Sequence, residues 1–349
     1  MSFQTSLDPL LATPTPILAL APMQDVTDLP FWRLMARYGG PDVYYTEYFR
    51  VHPTSTLESW ILESITQNPT GRPAIAQMIG NDVPSLIRSA KQLMAHPVAG
   101  IDLNLGCPAP VVYRKCAGGG LLRELKRVDA ILDALRQAVT TRFTVKTRIG
   151  FDSPAGFDDL LELFAKHRID LLTVHGRTVY EGYRSEVHYE YIAQAARRLP
   201  CPVLANGNIY SADKAADVLA STGARGVMIG RAAIRNPWLF EQIRSHQRGE
   251  TPTLPRGRQV LGYVRELFEA TRPLGIRPEV HVEKMKKYTN FLGVGVEPTG
   301  QFLHQIRRVS GEEQFFEVLH RFLDHDDPMP LDPFPLKLAE RDQLAGEHR

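Results

Sequence analysis

The sequence predicts an α/β protein: a (β/α)8 TIM barrel followed by a small C-terminal all-helical domain. Three observations carry this expectation. Short apolar runs recur eight times in the first two thirds of the 349 residues. Stretches with helical spacing separate most of them. After Pro237 the helical spacing continues and the strand-like runs stop. Runs that are apolar throughout, instead of alternating, belong to a parallel sheet covered on both faces. Eight such units over about 240 residues is the size of a closed barrel.

The runs are 17–21, 43–46, 74–77, 100–104, 144–146, 171–174, 203–205 and 226–229. The helical stretches among them include 83–95, 128–139, 158–167, 189–198 and 212–221. A doubly wound open sheet would need a Gly-rich turn after its first strand. The first run is followed instead by Ala21-Pro22-Met23-Gln24. Residues 248–258, rich in Gly, Pro and Thr, read as a linker. Helices are expected over 259–272, 280–292, 300–309 and 312–325. The expected division is a barrel over 1–247, the linker, a helical domain over 259–325 and a loosely packed, mobile tail over 326–349.

Bulk properties narrow the function classes. A formal net charge of +2 is too small to mark a polyanion-binding protein, so any such site must come from local clustering. Three cysteines at irregular spacing argue against a disulfide framework and fit a reducing cytoplasm. No Cys/His spacing suggests a metal. The apolar run at 17–21 is too short for a signal or membrane helix. The expectation is a soluble, cytoplasmic monomer without a membrane contact or an obligate protein partner.

Barrel chemistry sits at the carboxyl ends of the strands. Run one leads into Pro22 and Met23, run two into Glu47, and run three ends on Gln77. Run four ends on Asn104, followed by Gly106-Cys107-Pro108. Run five gives Lys146 and Arg148, and run six gives His175 and Arg177. Runs seven and eight give Asn206-Gly207-Asn208 and Gly230-Arg231. Together these groups would ring one mouth. The last two turns suit a phosphate: glycine lets the backbone approach closely and Arg231 adds a charge-assisted bond. Plain barrel turns are the bland alternative. Lys146 can stabilise negative charge on a reduced ring, or be a surface lysine at a strand end. Gln77 and Asn104 can match the donor and acceptor edges of a heterocycle, or simply form turns. Cys107, held between Gly106 and Pro108, can donate a proton or act as nucleophile. A free cysteine is more often a buried structural residue, and Cys116 and Cys201 read that way.

These residues lie in stretches that resemble the tRNA-dihydrouridine synthase family over most of the chain. The stretches are Ala21-Pro22-Met23, Asp28 with Pro30-Phe31, Gln77 with Gly80, and Asp102 through Pro108. Lys115 with Gly118-Gly119 follows, then Leu121-Leu122 and Lys146 through Gly150. His175-Gly176-Arg177-Thr178, Ala205 through Ile209, and Met228 through Ala233 complete the set. The resemblance implies FMN as cofactor, NADPH as reductant, and specific uridines of tRNA as substrate, reduced to 5,6-dihydrouridine. Hydride would pass from FMN N5 to C6 and a proton from Cys107 to C5. Pro22, Met23, Gln24, Gln77, Lys146 and His175 would hold the flavin. Asn206, Gly207, Asn208, Gly230 and Arg231 would hold its phosphate. Asn104, Arg148 and Arg177 would contact the substrate.

The helical domain adds Arg272, Arg277, Lys284, Lys286, Lys287, Arg307 and Arg308, with His281 and His304 among them. Read alone this is either a solvated helix face or a phosphate footprint. The resemblance favours tRNA, with Lys284, Lys286 and Lys287 as contacts. Tyr288 and Phe291 read equally as core or as stacking platforms. One departure stands out: Gly120 and Leu121 occupy positions where the family has a small residue such as Ala, so the loop after Cys107 is expected to sit differently. Two rival readings are a flavin barrel reducing a free pyrimidine, and a tRNA chaperone built on an inherited barrel.

Overall fold

The computed structural model describes residues 6–334. Its strands are β1 (Ile17–Leu20), β2 (Val43–Tyr45), β3 (Phe49–Val51), β4 (Ala74–Gly80) and β5 (Gly100–Leu105). Beyond them come β6 (Arg142–Arg148), β7 (Leu171–His175), β8 (Val203–Asn206) and β9 (Gly226–Ile229). Every pairing among them is parallel, and β1 pairs with both β2 and β9 while β2 pairs with β4. The sheet therefore closes on itself as an eight-stranded barrel. The ninth strand, β3, resumes the path of β2 after a short break and pairs with the far half of β4, Phe49 opposite Met78. It escapes sequence reading because three residues with an exposed Arg50 in the middle leave almost no periodicity.

Strands β1, β4, β5, β7, β8 and β9 are buried along their whole length, as a barrel wrapped in helices demands. Helices begin where side chains satisfy free N–H groups: Asp28 accepts from Phe31 N, Asp82 from Ser85 N, and Ser211 from Lys214 N. Several strands run further than their apolar runs. Polar residues continue the hydrogen-bond ladder into the mouth: Asn104 stands opposite Lys146, Arg148 opposite His175, and His175 opposite Asn206. That register aligns the strand-end ring.

The later helices are Gly257–Ala270, Pro278–Gly293, Gln301–Ile306 and Glu312–Leu323. They pack against the barrel. Tyr288 Oη donates to Val26 O at 3.0 Å and its ring stacks on Phe31 at 6.1 Å, so Tyr288 is core. Tyr263 Oη donates to Ile234 O at 2.7 Å.

The expectation of a loose tail from Asp326 is corrected over its first part. Met329 and Leu331 are buried, Met329 N donates to Pro255 O at 2.7 Å, and Phe334 N donates to Val294 O at 2.8 Å. Arg235 donates to Leu331 O. Prolines suppress helix and strand periodicity, but the N–H groups between them still find carbonyls in the linker and the helices. The rest of the tail, 335–349, lies outside the described residues. Among the described residues no helix is long and apolar enough to cross a membrane.

Candidate active site

Cys107 follows β5 in a turn fixed by the side chain of Asn104. Asn104 Oδ1 accepts from Gly106 N at 3.0 Å and from Cys107 N at 2.9 Å. Asn104 Nδ2 donates to Gln77 Oε1 at 2.8 Å, and Gln77 Nε2 donates to Asp102 Oδ2 at 2.8 Å. Asp102 Oδ1 accepts from Thr144 Oγ1 at 2.6 Å. Gln77 and Asp102 are fully buried. Burial pushes the Asp102 carboxyl up to about 6, against the bonds from Thr144 and Gln77 and the charge of Lys146. Burial also pushes the Cys107 thiol up, against a backbone bond and the charges of Arg148 and Lys146. A thiol in that state keeps its proton at neutral pH.

The turn is backed by the 3-10 segment Gly118–Arg123. Gly119 N donates to Cys107 O at 3.2 Å. A Cβ on Gly120 would lie 2.4 Å from Tyr113 O, closer than any side chain tolerates. Here, then, is why glycine stands at that position. Gly120→Ala is expected to cost about 1–3 kcal/mol through this overlap. Chemical denaturation checks it, and an unchanged midpoint would contradict the close packing.

A group of cations gathers near the thiol, with Arg148 and Lys146 acting on it directly. Lys146 Nζ is 3.4 Å from Asn206 Oδ1, and burial together with Arg148 pulls its pKa down to about 8. Burial, then Arg231 and Arg148, pull Arg177 down to about 10. Arg231 is lowered by burial, and its guanidinium lies 4.3 Å from the ring centroid of Tyr183. Burial and the charges of Arg148, Lys146, Arg177 and Arg231 hold His175 well below the usual imidazole range, so its ring is neutral. Asn206 Nδ2 donates to Met228 O at 2.7 Å, leaving Oδ1 toward Lys146. Gly207 has φ +124°, and a Cβ there would press on His175 Cδ2 at 3.1 Å and on Val187. Gln24 Oε1 is buried without a hydrogen-bond partner. Lys146, Arg148, Arg177 and Arg231 gather buried positive charge that Asp102 and Glu186 offset only in part, a setting that favours an anion. The buried Gln24 Oε1, without a hydrogen-bond partner, suits a polar ligand beside that charge. The site fits FMN.

A family model described as "Dihydrouridine synthase (Dus)" matches residues 19–324. The chain belongs to the dihydrouridine synthase family. It is 28% identical over 313 residues to the tRNA-dihydrouridine(16) synthase of Neisseria meningitidis serogroup A, covering 87% of this chain and 94% of that one. It is 34% identical over 255 residues to a probable tRNA-dihydrouridine synthase of Helicobacter pylori strain J99, covering 72% and 77%. Among solved structures, histamine dehydrogenase from Rhizobium sp. 4-9 aligns with a TM-score of 0.54 at 13% identity, over 89% of this chain and 63% of that one, a likeness of fold alone.

In this member of the dihydrouridine synthase family several of the expected site residues make hydrogen bonds within the protein. Arg148 is buried and gives Nε to Gly106 O at 2.9 Å and Nη1 to Thr178 O and Gly182 O at 2.8 and 2.9 Å. It braces three loop carbonyls where a substrate contact was expected. Arg177 is likewise buried, with Nε and Nη2 both donating to Ser185 O and Nη1 donating to His175 Nε2 at 3.3 Å. Asn104 spends its oxygen on the Cys107 turn instead of on a base. Met23 N donates to Thr27 Oγ1 at 2.8 Å and Met23 O accepts from Val26 N and Thr27 N. Its backbone is occupied by its own turn. Asn208, after β8, is exposed at φ +47°, and Pro22, after β1, is partly buried. Gly230 places its α-carbon face near Ala21 and Met23.

The basic cluster of the helical region is partly neutralised. Lys284 Nζ lies 3.3 Å from Asp28, Lys287 Nζ 3.8 Å from Asp25, and Lys286 Nζ 2.5 Å from Glu283. His281 is no part of it: the ring is buried, with Nε2 against Phe268 O at 2.7 Å. Sequence reading assigned no role to Asp102 or Tyr183. A charged residue inside an otherwise apolar strand was a usable signal for Asp102, because such a group must be paired. Tyr183 sits in a loop with no periodicity to mark it.

Proposed function

We propose that this protein reduces specific uridines of tRNA to 5,6-dihydrouridine, with FMN as cofactor and NADPH as reductant. One observation carries the reading. A thiol that keeps its proton, on a rigid turn, shares a barrel mouth with a cluster of buried cations. Bound FMN, recharged by NADPH, supplies the hydride. Lys146, Gln24 and the neutral His175 would hold its ring, and Asn206, Gly207, Asn208, Gly230 and Arg231 its phosphate; Gln77, fully buried with both ends of its amide bonded to Asn104 and Asp102, lies behind the site and does not line it. Lys146 offers positive charge where a reduced ring carries negative charge. Cys107 holds its proton at Sγ and delivers it to the carbon that becomes carbanionic as the uracil accepts hydride. Arg148 and Asn104 fix the turn from which it acts. The base must leave its stack to reach this mouth, which a loop uridine does at least cost. Phosphates of tRNA would compete with Asp25, Asp28 and Glu283 for Lys284, Lys287 and Lys286, placing the RNA without reading its sequence. Product from tRNA but not from free uridine tests the reading against a free-pyrimidine reductase. The two relatives named above are tRNA-dihydrouridine synthases by name, which supports the same choice.

The depressed Lys146 gives a pH dependence. With its folded pKa near 8 in place of 10.5, the apoprotein loses this charge above pH 8. An anion binds the charged form, so FMN affinity is expected to fall about tenfold per pH unit above 8 until the bound-state pKa is reached. Flavin fluorescence titrations between pH 7 and 10 measure it. A flat affinity would remove Lys146 from the flavin site.

A further inference from the structure

We infer that Asp102 is a positioning residue: its carboxylate sets the orientation of the Gln77 and Asn104 amides and thereby holds the turn that presents Cys107. The inference builds on the proposed role of that thiol. Primary amides are nearly symmetric in shape, so packing alone does not decide which end is oxygen. Partners decide it. At one end of this chain of bonds, Gly106 N and Cys107 N can only donate, and both face Asn104 Oδ1. At the other end an ionised Asp102 can only accept, and it receives Gln77 Nε2 and Thr144 Oγ1. Between these ends a single arrangement satisfies every contact: Asn104 Nδ2 to Gln77 Oε1, and Gln77 Nε2 to Asp102. The backbone of Gln77 is pinned as well, its N donating to Thr46 Oγ1 at 3.0 Å, so the amide turns about a fixed base. A buried carboxylate carries a desolvation cost. A leucine would fill the same strand position without it, but would leave Gln77 free to invert and Asn104 with it. Inversion of Asn104 would aim an NH2 at two N–H groups and release the turn.

The test uses the full-length protein and the alkylation of Cys107 by iodoacetamide, followed by mass spectrometry, with Cys116 and Cys201 as references in the same chain. Q77E sets acceptor against acceptor at Asp102 with no change of shape. Its Cys107 is expected to alkylate about tenfold faster at pH 8, the equivalent of one lost hydrogen bond, as the freed turn hydrates the thiol. D102N/Q77E moves the carboxylate one place along and restores every polarity up to Asn104. Its Cys107 is expected to return to the wild-type rate. A second pair covers the case in which Q77E does not fold. N104D puts two acceptors around Gln77, and D102N/N104D lets Gln77 invert while the oxygen of residue 104 still faces the turn. The same pattern of loss and rescue is expected. A Cys107 rate unchanged in Q77E or N104D, or a double variant no slower than its single, overturns the inference. A purely space-filling role leaves all four alike. Alkylation needs no tRNA, so failure of the relay and failure of the proposed reaction are read separately.

Discussion

Cys107→Ala lowers uridine reduction by about a thousandfold, within the range that a positioned general acid contributes. Flavin content and tRNA affinity are expected to stay at wild-type levels, because the protonated thiol carries no charge and its loss leaves the cation cluster and the helical lysines in place. The size of the effect follows from the turn. Cys107 N is pinned by Asn104, Cys107 O receives Gly119 N, and the preceding carbonyl receives Arg148. No water held by comparable contacts would replace a thiol so placed. Burial keeps that thiol protonated, so the acid form is available across the neutral range. Single-turnover assays with excess enzyme measure the loss. Turnover by the alanine variant within tenfold of wild type would remove Cys107 as the acid.

Arg148→Met is expected to act on the fold before it acts on chemistry. Three loop carbonyls, of Gly106, Thr178 and Gly182, lose their donor together. A buried acceptor left without a partner costs about 1–3 kcal/mol. Loss of a cation beside Lys146 and His175 offsets part of this, since both are held down by the Arg148 charge. A net cost of about 3 kcal/mol, or a fall of roughly 4 °C in Tm for a chain of this length, is the expected outcome. Calorimetry in the presence and absence of FMN measures it. An unchanged Tm with a raised KM for tRNA would return Arg148 to the substrate contact that its strand-end position suggests.

Arg148 also shows where sequence reading stops. The barrel was legible because apolar runs and helical stretches alternate, and the site's location was legible because polar residues end those runs. Arg148, His175 and Asn206 stand in register on neighbouring strands as that pattern implies. What each side chain does at the mouth was not legible. Strand position places Arg148 and Asn104 at the mouth, but only three-dimensional packing shows their donors and acceptors already spent on loops. The same holds for the helical lysines: their clustering is visible in the chain, while Asp25 and Asp28, which neutralise two of them, come from a loop over 250 residues away. The docked segment around Leu331 was hidden by its prolines. Gly120 was visible as a departure, and its reason, the approach of Tyr113 O, was not.

The most direct test of the account is to incubate the purified protein with NADPH and unmodified tRNA transcripts and to map dihydrouridine by mass spectrometry. The account predicts dihydrouridine at one defined position, dependent on Cys107. No product, with flavin bound and NADPH still oxidised, would contradict it and point to a free pyrimidine as the substrate.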